Sequence, residues 1–167
     1  MTNSNLRGAT IDRDLLDPER SLALFYVPAE KRAALAALWQ LDAHLGTVLA
    51  AGAQLILTQM KLAWWREALV ALDSGPAPAE PTLQLAEQYL LPHGLSGTAL
   101  SEMTVGWEHL LVDDLTSDDL DAYCRRRGGL LFRYSAQLLA GRSSAEIESA
   151  GSAWALTSRS RMRSRAS

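Results

Sequence analysis

The segment from Gln54 to Leu72, QLILTQMKLAWWREALVAL, restricts the possible folds of this chain more than any other stretch. Its apolar residues recur at spacings of three and four, which is the period of an amphipathic α-helix. Trp64 and Trp65 are adjacent, and neighbouring helical residues point about 100° apart. The apolar surface is therefore broad. We predict a mostly buried helix that contacts neighbours on two sides, as in the inner position of a helical bundle.

The composition favours a single helical domain. Alanine and leucine are abundant, whereas the β-branched residues and phenylalanine that favour strands are scarce. A chain of 167 residues, of which 48% are hydrophobic and 21% charged, is typical of one soluble globular domain. Cys124 is the only cysteine, so no intrachain disulfide can form. Neither a signal peptide nor a membrane-spanning run is visible, and we expect a cytoplasmic protein without a transmembrane segment.

The charge of the chain is unevenly distributed. The net charge is −3, although four arginines stand in the last ten residues, so the remainder of the chain is more acidic than the total indicates. An acidic body argues against a nucleic-acid partner. From Thr157 the sequence reads TSRSRMRSRAS, which has no apolar face. We predict a single domain over residues 1–156 and a disordered Ser/Arg-rich tail over residues 157–167.

Helix-start signals divide the chain into segments. N-cap residues or first-turn prolines stand at Asp17-Pro18, Pro28, Ser96, Thr116 and Ser143. Three prolines and a glycine make residues 73–81 a loop. The helix that starts at Thr116 is predicted to run unbroken to Leu139, where Gly141 stops it. The sequence therefore predicts an all-α bundle.

Three motifs resemble those of the squalene/phytoene synthases, the head-to-head prenyl transferases, in the same order and at similar spacing. They are FYVPAEKRAALAALWQLDAHL from Phe25, KLAWWREAL from Lys61 and DDLDAYCRRRGGLLFRYSAQLLAG from Asp118. The resemblance implies an isoprenoid-synthase-type helical bundle that is C-terminally incomplete in this chain. Within the family, ALWQLDAHLGTVLA is most similar to the divergent branch that includes a mitochondrial complex I assembly factor.

The resemblance also implies a metal-dependent reaction, for which this sequence lacks the ligands. Family enzymes hold magnesium ions between two aspartate-rich motifs, and these ions draw diphosphate from a prenyl donor. The first motif would fall at residues 46–50, GTVLA, and the second near residues 158–166, and neither stretch contains an acid. We therefore expect no metal site, no catalytic residues and no cofactor. Magnesium would be needed only if the family chemistry were retained.

Four residues match substrate-binding positions of the family and are predicted by resemblance to contact a prenyl diphosphate: Ser21, Arg66, Tyr123 and Gly129. Each also has a simpler interpretation as an ordinary helical or core residue. The arginine run Arg125 to Arg127 is interpreted as surface charge rather than a phosphate grip. The acidic residues between 113 and 121 are interpreted as a helix N-terminus rather than a metal site.

Two functions from different classes remain open. The first is a divergent, truncated and catalytically impaired family member that acts as a lipid- or protein-binding helical bundle. The alternative is an active phytoene/squalene synthase-type prenyltransferase that condenses two prenyl diphosphates. A bundle that ends early would leave an apolar face exposed, so we expect self-association or peripheral membrane contact. The abrupt change of composition at Thr157 would also fit a shift of the coding frame.

Overall fold

A computed structural model of the chain describes residues 10–51, 54–112 and 114–165, except for the side chains of Arg13 and of residues 159–165. These residues form helices and connecting turns and contain no strand, so the predicted all-α fold is confirmed. The helices are α1 (Pro18–Ala23), α2 (Ala29–Ala50), α3 (Leu55–Ala71), α4 (Pro81–Tyr89), α5 (Gly97–Glu108), α6 (Ser117–Tyr123), α7 (Leu130–Ala140) and α8 (Ala145–Arg165), with a π-helical segment (Cys124–Gly129) between α6 and α7.

The predicted helix starts at Asp17, Ser96 and Thr116 are confirmed in atomic detail. The Asp17 carboxylate accepts the backbone N–H of Arg20 at 2.9 Å, and the Ser96 hydroxyl accepts that of Ala99 at 3.1 Å. Thr116 and Asp119 form a reciprocal capping box at the start of α6. The acidic residues there serve as a helix N-terminus, as the sequence indicated, although Asp113 lies outside the described residues.

The core of the bundle lies around the middle of α2, where the residues from Ala34 to Leu38 and Leu41, Leu45 and Gly46 are buried. In the part of the chain that the structure describes, α2 alone has the length and hydropathy needed to cross a bilayer. Some 56% of that stretch is buried inside the bundle, which is typical of the core helix of a globular protein.

The helix α3 packs on α5 through a single face. Its buried residues are Thr58, Leu62, Trp65 and Leu69, which follow one another at helical spacing. The opposite face is open to solvent, and Ile56 is 70% and Trp64 46% exposed. The prediction of a mostly buried helix is therefore wrong, whereas the prediction of neighbours on two sides agrees with the contacts that α3 makes with both α5 and α2. Trp64 packs edge-on against Trp65, with ring centroids 5.4 Å apart, but no helix covers its outer side among the described residues.

The predicted unbroken helix from Thr116 to Leu139 is interrupted by the π-helical segment. Two consecutive glycines, Gly128 and Gly129, weaken the α-helical preference there. The segment lies between α5 and α8 at very short range. A Cβ added to Gly128 would stand 2.0 Å from the carbonyl oxygen of Gly151, and one added to Gly106 would stand 2.8 Å from the backbone nitrogen of Arg127. π-Helical turns of this kind are frequent at functional sites.

The C-terminal part of the chain differs from the predicted disordered tail, since α8 continues without a break from Ala145 to Arg165. Its first half is anchored on α7 and the π-helical segment. Extending an existing helix needs no new nucleation, and arginine favours the helical state. Ser158, which lies past the predicted domain boundary, accepts a hydrogen bond from Arg127, and the domain boundaries stay a prediction. Residues 166 and 167 lie outside the described residues.

Candidate functional site

A cleft of about 850 Å³ opens between α1, α2, α5, the π-helical segment and α8. Small residues of α2 form its floor, and two tryptophans and two arginines stand at its sides. Its lining includes Arg20, Ser21, Gly46, Trp107, Arg127 and Trp154. The cleft is larger than the neighbouring pocket described below and is therefore the default binding-site candidate.

A buried carboxylate lies directly beneath this cleft. Asp42, in the middle of α2, is 0% exposed. Its Oδ1 accepts a hydrogen bond from Arg127 Nε at 2.9 Å, and its Oδ2 accepts one from Arg127 Nη2 at 3.0 Å. Arg20 Nη2 also donates to Oδ2, at 2.7 Å. Asp42 therefore joins two arginines from different elements, one of them in bidentate geometry.

Arg127 itself makes four side-chain hydrogen bonds within the described residues. Its Nη1 donates to the Tyr123 hydroxyl at 2.5 Å and to Ser158 Oγ at 3.0 Å. The guanidinium carbon lies 4.2 Å from the ring centroid of Trp107 and 5.0 Å from that of Trp154. The side chain is only 5% exposed. The interpretation of the arginine run as surface charge is thus wrong for Arg127, because the π-helical segment turns this residue inward.

Asp42, Arg20 and Arg127 form a cluster whose opposite charges stabilise one another. Burial alone would raise the pKa of Asp42, but Arg127 and Arg20 outweigh burial and lower it from 3.8 to about 2. Burial would lower the pKa of Arg127, and Asp42 outweighs that effect and raises it. Burial raises the pKa of Tyr123 above 10, so its hydroxyl stays neutral. Near neutral pH the cluster is a carboxylate held between two guanidiniums.

The pKa of Asp42 predicts a specific loss of stability in acid. Above its unfolded pKa of 3.8 the contribution of Asp42 is complete, and it is lost as the pH falls from 3.8 towards its folded pKa of about 2. The unfolded chain takes up a proton in this window before the folded chain does. We expect the difference in unfolding free energy between the wild type and Asp42→Asn to narrow across this window.

Urea denaturation at several pH values between about 5 and 2 measures that difference. Asp73 and Asp119 also have lowered pKa values, because of hydrogen bonds from Thr98 and Thr116, but both proteins contain them and their effects cancel. A difference that stays constant over the whole range would contradict the lowered pKa of Asp42.

The four residues predicted by resemblance to bind substrate lie in different places. Ser21 lines the cleft. Tyr123 is 0% exposed and reaches the cluster through its hydrogen bond to Arg127. Arg66 lies on the surface, 3.2 Å from Glu108 in an ion pair between α3 and α5. A Cβ on Gly129 would stand 3.3 Å from Ser152 Oγ, so this residue faces α8. Ser21 thus lies at the cleft and Tyr123 in the buried cluster beside it, and the contact of all four residues with substrate stays a prediction.

Asp42 and Arg20 are the site residues that sequence reasoning missed. One signal for Asp42 was available, since it stands in the apolar run ALWQLDAHL and a carboxylate inside a core helix needs a cationic partner. The run of three arginines supplies one such cation. Nothing local in the sequence shows which arginine of the run faces inward.

The cleft does not fit a magnesium cluster of the kind that the resemblance implies. Gly46, at the start of the position expected for the first aspartate motif, faces Trp107, and an added Cβ would stand 3.0 Å from the Cη2 atom of that ring. The indole therefore fills the volume that an acidic side chain would need. The described residues contain no group of three His, Cys, Asp or Glu residues able to hold a metal ion. The acids that do line the cleft, Asp14, Asp17 and Glu19, come from the region of α1.

A smaller pocket of about 250 Å³ adjoins the cleft. Asp17, Glu19, Arg20 and Trp154 line both cavities. The rest of the small pocket is largely apolar, and its lining includes Ala23, Trp39, Leu131 and Phe132. The indole Nε1–H of Trp39 donates to Ser135 Oγ at 3.1 Å, which fixes the orientation of that wall. The two cavities together offer a cleft with charged residues in its walls beside an aromatic recess.

Comparison with known proteins agrees with this architecture. Residues 16–162 match the squalene/phytoene synthase family. No individual curated protein and no solved structure matches the chain significantly. The resemblance drawn from the three motifs is confirmed at the level of the family, and the closer likeness to the complex I assembly-factor branch stays a prediction.

Proposed function

Since the chain belongs to the squalene/phytoene synthase family, we propose that it is a non-catalytic member that binds an isoprenoid or a similar lipid. One observation carries this proposal. The two arginines beside the cleft, Arg20 and Arg127, are both bound to Asp42 of the same chain. A prenyl transferase would direct such positive charge at the diphosphate of its substrate. Here the positive charge is paired with a carboxylate inside the protein.

The small pocket supports binding of an apolar chain. Its walls carry Trp39, Leu131, Phe132 and Trp154, and it opens beside the larger cleft. Binding sites for small molecules are typically concave and mostly apolar, with a few polar groups that fix the orientation of the ligand. A slim isoprenoid tail fits this description, with its polar end in the cleft.

The residues of the cleft favour a ligand whose polar end is uncharged. Asp14, Asp17 and Glu19 line the cleft and repel a polyanion such as diphosphate. An alcohol oxygen carries no charge, so these carboxylates do not repel it. These features favour a prenyl alcohol or related neutral lipid over a prenyl diphosphate.

The alternative function, condensation of two prenyl diphosphates, has the support of ancestry alone. Departure of diphosphate develops negative charge that a metal ion must stabilise. Trp107 fills the space beside Gly46 where the first acidic motif would project. Shared fold does not carry shared activity where the reacting groups are absent.

A thermal-shift experiment separates the two functions. We expect farnesol or geranylgeraniol to raise Tm, by an amount equivalent to about 2.7 kcal/mol when the ligand concentration is 100-fold above Kd. Farnesyl diphosphate with magnesium is expected to stabilise the protein less and to release no pyrophosphate. Ala23→Trp, which fills the small pocket, should abolish the effect of the alcohol.

Ala79→Trp introduces the same side chain at an exposed loop position and serves as the matched control, which should keep the full shift. Pyrophosphate release above background would instead show that this chain retains the family reaction. A shift that is equal in the wild type and in Ala23→Trp would place the lipid elsewhere.

A further inference from the structure

Arg20 lies at the boundary between the cleft and the small pocket, since it lines both cavities. It belongs to α1, and its side chain reaches across to α2. There its Nη1 donates to the backbone oxygen of Trp39 at 3.2 Å, and its Nη2 donates to Asp42 Oδ2 at 2.7 Å. The guanidinium carbon lies 4.9 Å from the ring centroid of Trp154. A ligand with its apolar tail in the small pocket and its polar end in the cleft therefore passes beside this guanidinium.

The guanidinium of Arg20 keeps hydrogen-bond donors that the protein does not use. Each terminal nitrogen of an arginine carries two hydrogens. Within the residues that the structure describes, Nη1 donates only to Trp39 and Nη2 only to Asp42. One hydrogen on each nitrogen is thus left without a protein acceptor, although the side chain is only 11% exposed. A largely buried donor without an acceptor is unfavourable, so an oxygen atom supplied by a ligand would stabilise the complex here.

The charge of the same guanidinium is already offset by carboxylates. Asp42 accepts hydrogen bonds from both Arg20 and Arg127, and Asp17 Oδ2 lies 3.4 Å from Arg20 Nε. Two guanidiniums therefore face two carboxylates, and the group presents donors without an excess of positive charge. An anionic ligand would meet the carboxylate of Asp17 at close range and be repelled by it. An uncharged oxygen accepts the same hydrogen bonds without that repulsion.

We propose that Arg20 selects the polar end of the ligand by donating these hydrogen bonds to an uncharged oxygen, the hydroxyl of a prenyl alcohol or the carbonyl of a prenyl aldehyde. This inference rests on the proposed function, because it needs an apolar chain in the small pocket. A prenyl hydrocarbon of the same length fills that pocket but leaves both donors of Arg20 without acceptors. A prenyl phosphate supplies acceptors but places negative charge beside Asp17.

Displacement of an uncharged fluorescent probe, N-phenyl-1-naphthylamine, measures the affinities of farnesol, farnesal and farnesene. We expect the wild type to bind farnesol and farnesal about tenfold more tightly than farnesene, as one or two added hydrogen bonds predict. Arg20→Met keeps a side chain of similar length without donors, and it should bind all three ligands equally. Arg126→Met is the matched control, because Arg126 is 48% exposed and lines neither cavity, and it should keep the wild-type preference.

A second pair of variants tests the role of charge and does not depend on the folding of Arg20→Met, which circular dichroism melting checks. Asp17→Asn removes the negative charge beside Arg20, and asparagine is as good an N-cap of α1 as aspartate. We expect it to reduce the preference for farnesol over farnesyl monophosphate about tenfold. Asp14→Asn removes the same charge from the cleft without an ion pair to Arg20 among the described residues, and it should reduce the preference less.

The outcomes separate the lipid site from the role of Arg20. If none of the farnesyl ligands displaces the probe from the wild type, the proposed function is wrong and the selection by Arg20 falls with it. If farnesene binds as tightly as farnesol, the lipid site stands and the role of Arg20 is overturned. The same conclusion follows if Arg20→Met is folded and keeps the preference for farnesol. Equal effects of Asp17→Asn and Asp14→Asn would overturn the specific neutralisation of Arg20 by Asp17.

Discussion

Replacement of Asp42 by asparagine is expected to lower the free energy of unfolding by about 3–5 kcal/mol, the usual cost of breaking a buried ion pair from one side. Asparagine preserves the size of the side chain but removes its charge. The guanidinium of Arg127, which is 5% exposed, would remain in the core without a counter-ion. The loss is a large part of the 5–15 kcal/mol, roughly, that stabilises a domain of ordinary size.

Urea denaturation of the wild type and the variant measures this effect. Asp121→Asn makes the same chemical change at an exposed position of α6 and should alter stability by no more than about 0.5 kcal/mol. The double variant Asp42→Leu/Arg127→Met removes two of the three charges and should be more stable than Asp42→Asn, because Arg20 keeps its ion pair with Asp17 and the charge of Arg127 is no longer buried without a partner. Equal stability of Asp42→Asn and wild type would show that the cluster does not hold the bundle together.

Replacement of Gly151 by alanine is expected to destabilise the protein by at least about 1–3 kcal/mol, the typical cost of overpacking a core. The added Cβ would stand 2.2 Å from the carbonyl oxygen of Gly128 and 2.7 Å from the Cβ of Phe132. Backbone atoms cannot rotate away as a side chain would, so α8 must move off the π-helical segment. That shift also draws Ser158 away from Arg127.

Thermal unfolding of Gly151→Ala and of the reciprocal Gly128→Ala measures this cost, and both variants should melt at lower temperature. Gly75→Ala is the matched control, since nothing lies within 4 Å of its added Cβ and its φ is not positive. It should melt close to the wild type. Unchanged melting of Gly151→Ala would mean that α8 and the π-helical segment are not in close contact in solution.

The helices were predictable because their start signals are local. The hydrogen bonds that begin α1, α5 and α6 join residues only three positions apart, as at Thr116 and Asp119, so the spacing of residue types along the chain suffices to find them. The family could be predicted for the same reason, because each of its three motifs is a contiguous stretch of sequence. In these segments the apolar periodicity and the capping residues predict the same helices, and the structure confirms those helices.

The centre of the candidate site depends on contacts that no local pattern contains. Asp42 and Arg127 are 85 positions apart. Which arginine turns inward depends on the π-helical segment and on two glycine contacts, at Gly106 and at Gly151, that arise only after the helices pack. The exposed side of α3 escaped prediction for a related reason. Apolar spacing shows that a helix has an apolar face, but only the arrangement of its neighbours decides how much of that face is covered.

The distance in sequence between Asp42 and Arg127 also affects the order of events on the ribosome. Arg20 is synthesised before Asp42, but Arg127 emerges only after 85 further positions have been added. Until then the nascent α2 carries an incompletely neutralised carboxylate among leucines, and the N-terminal half cannot reach its final packing. The emerging polypeptide is therefore expected to remain open, and accessible to chaperones, at least until Arg127 has left the ribosome.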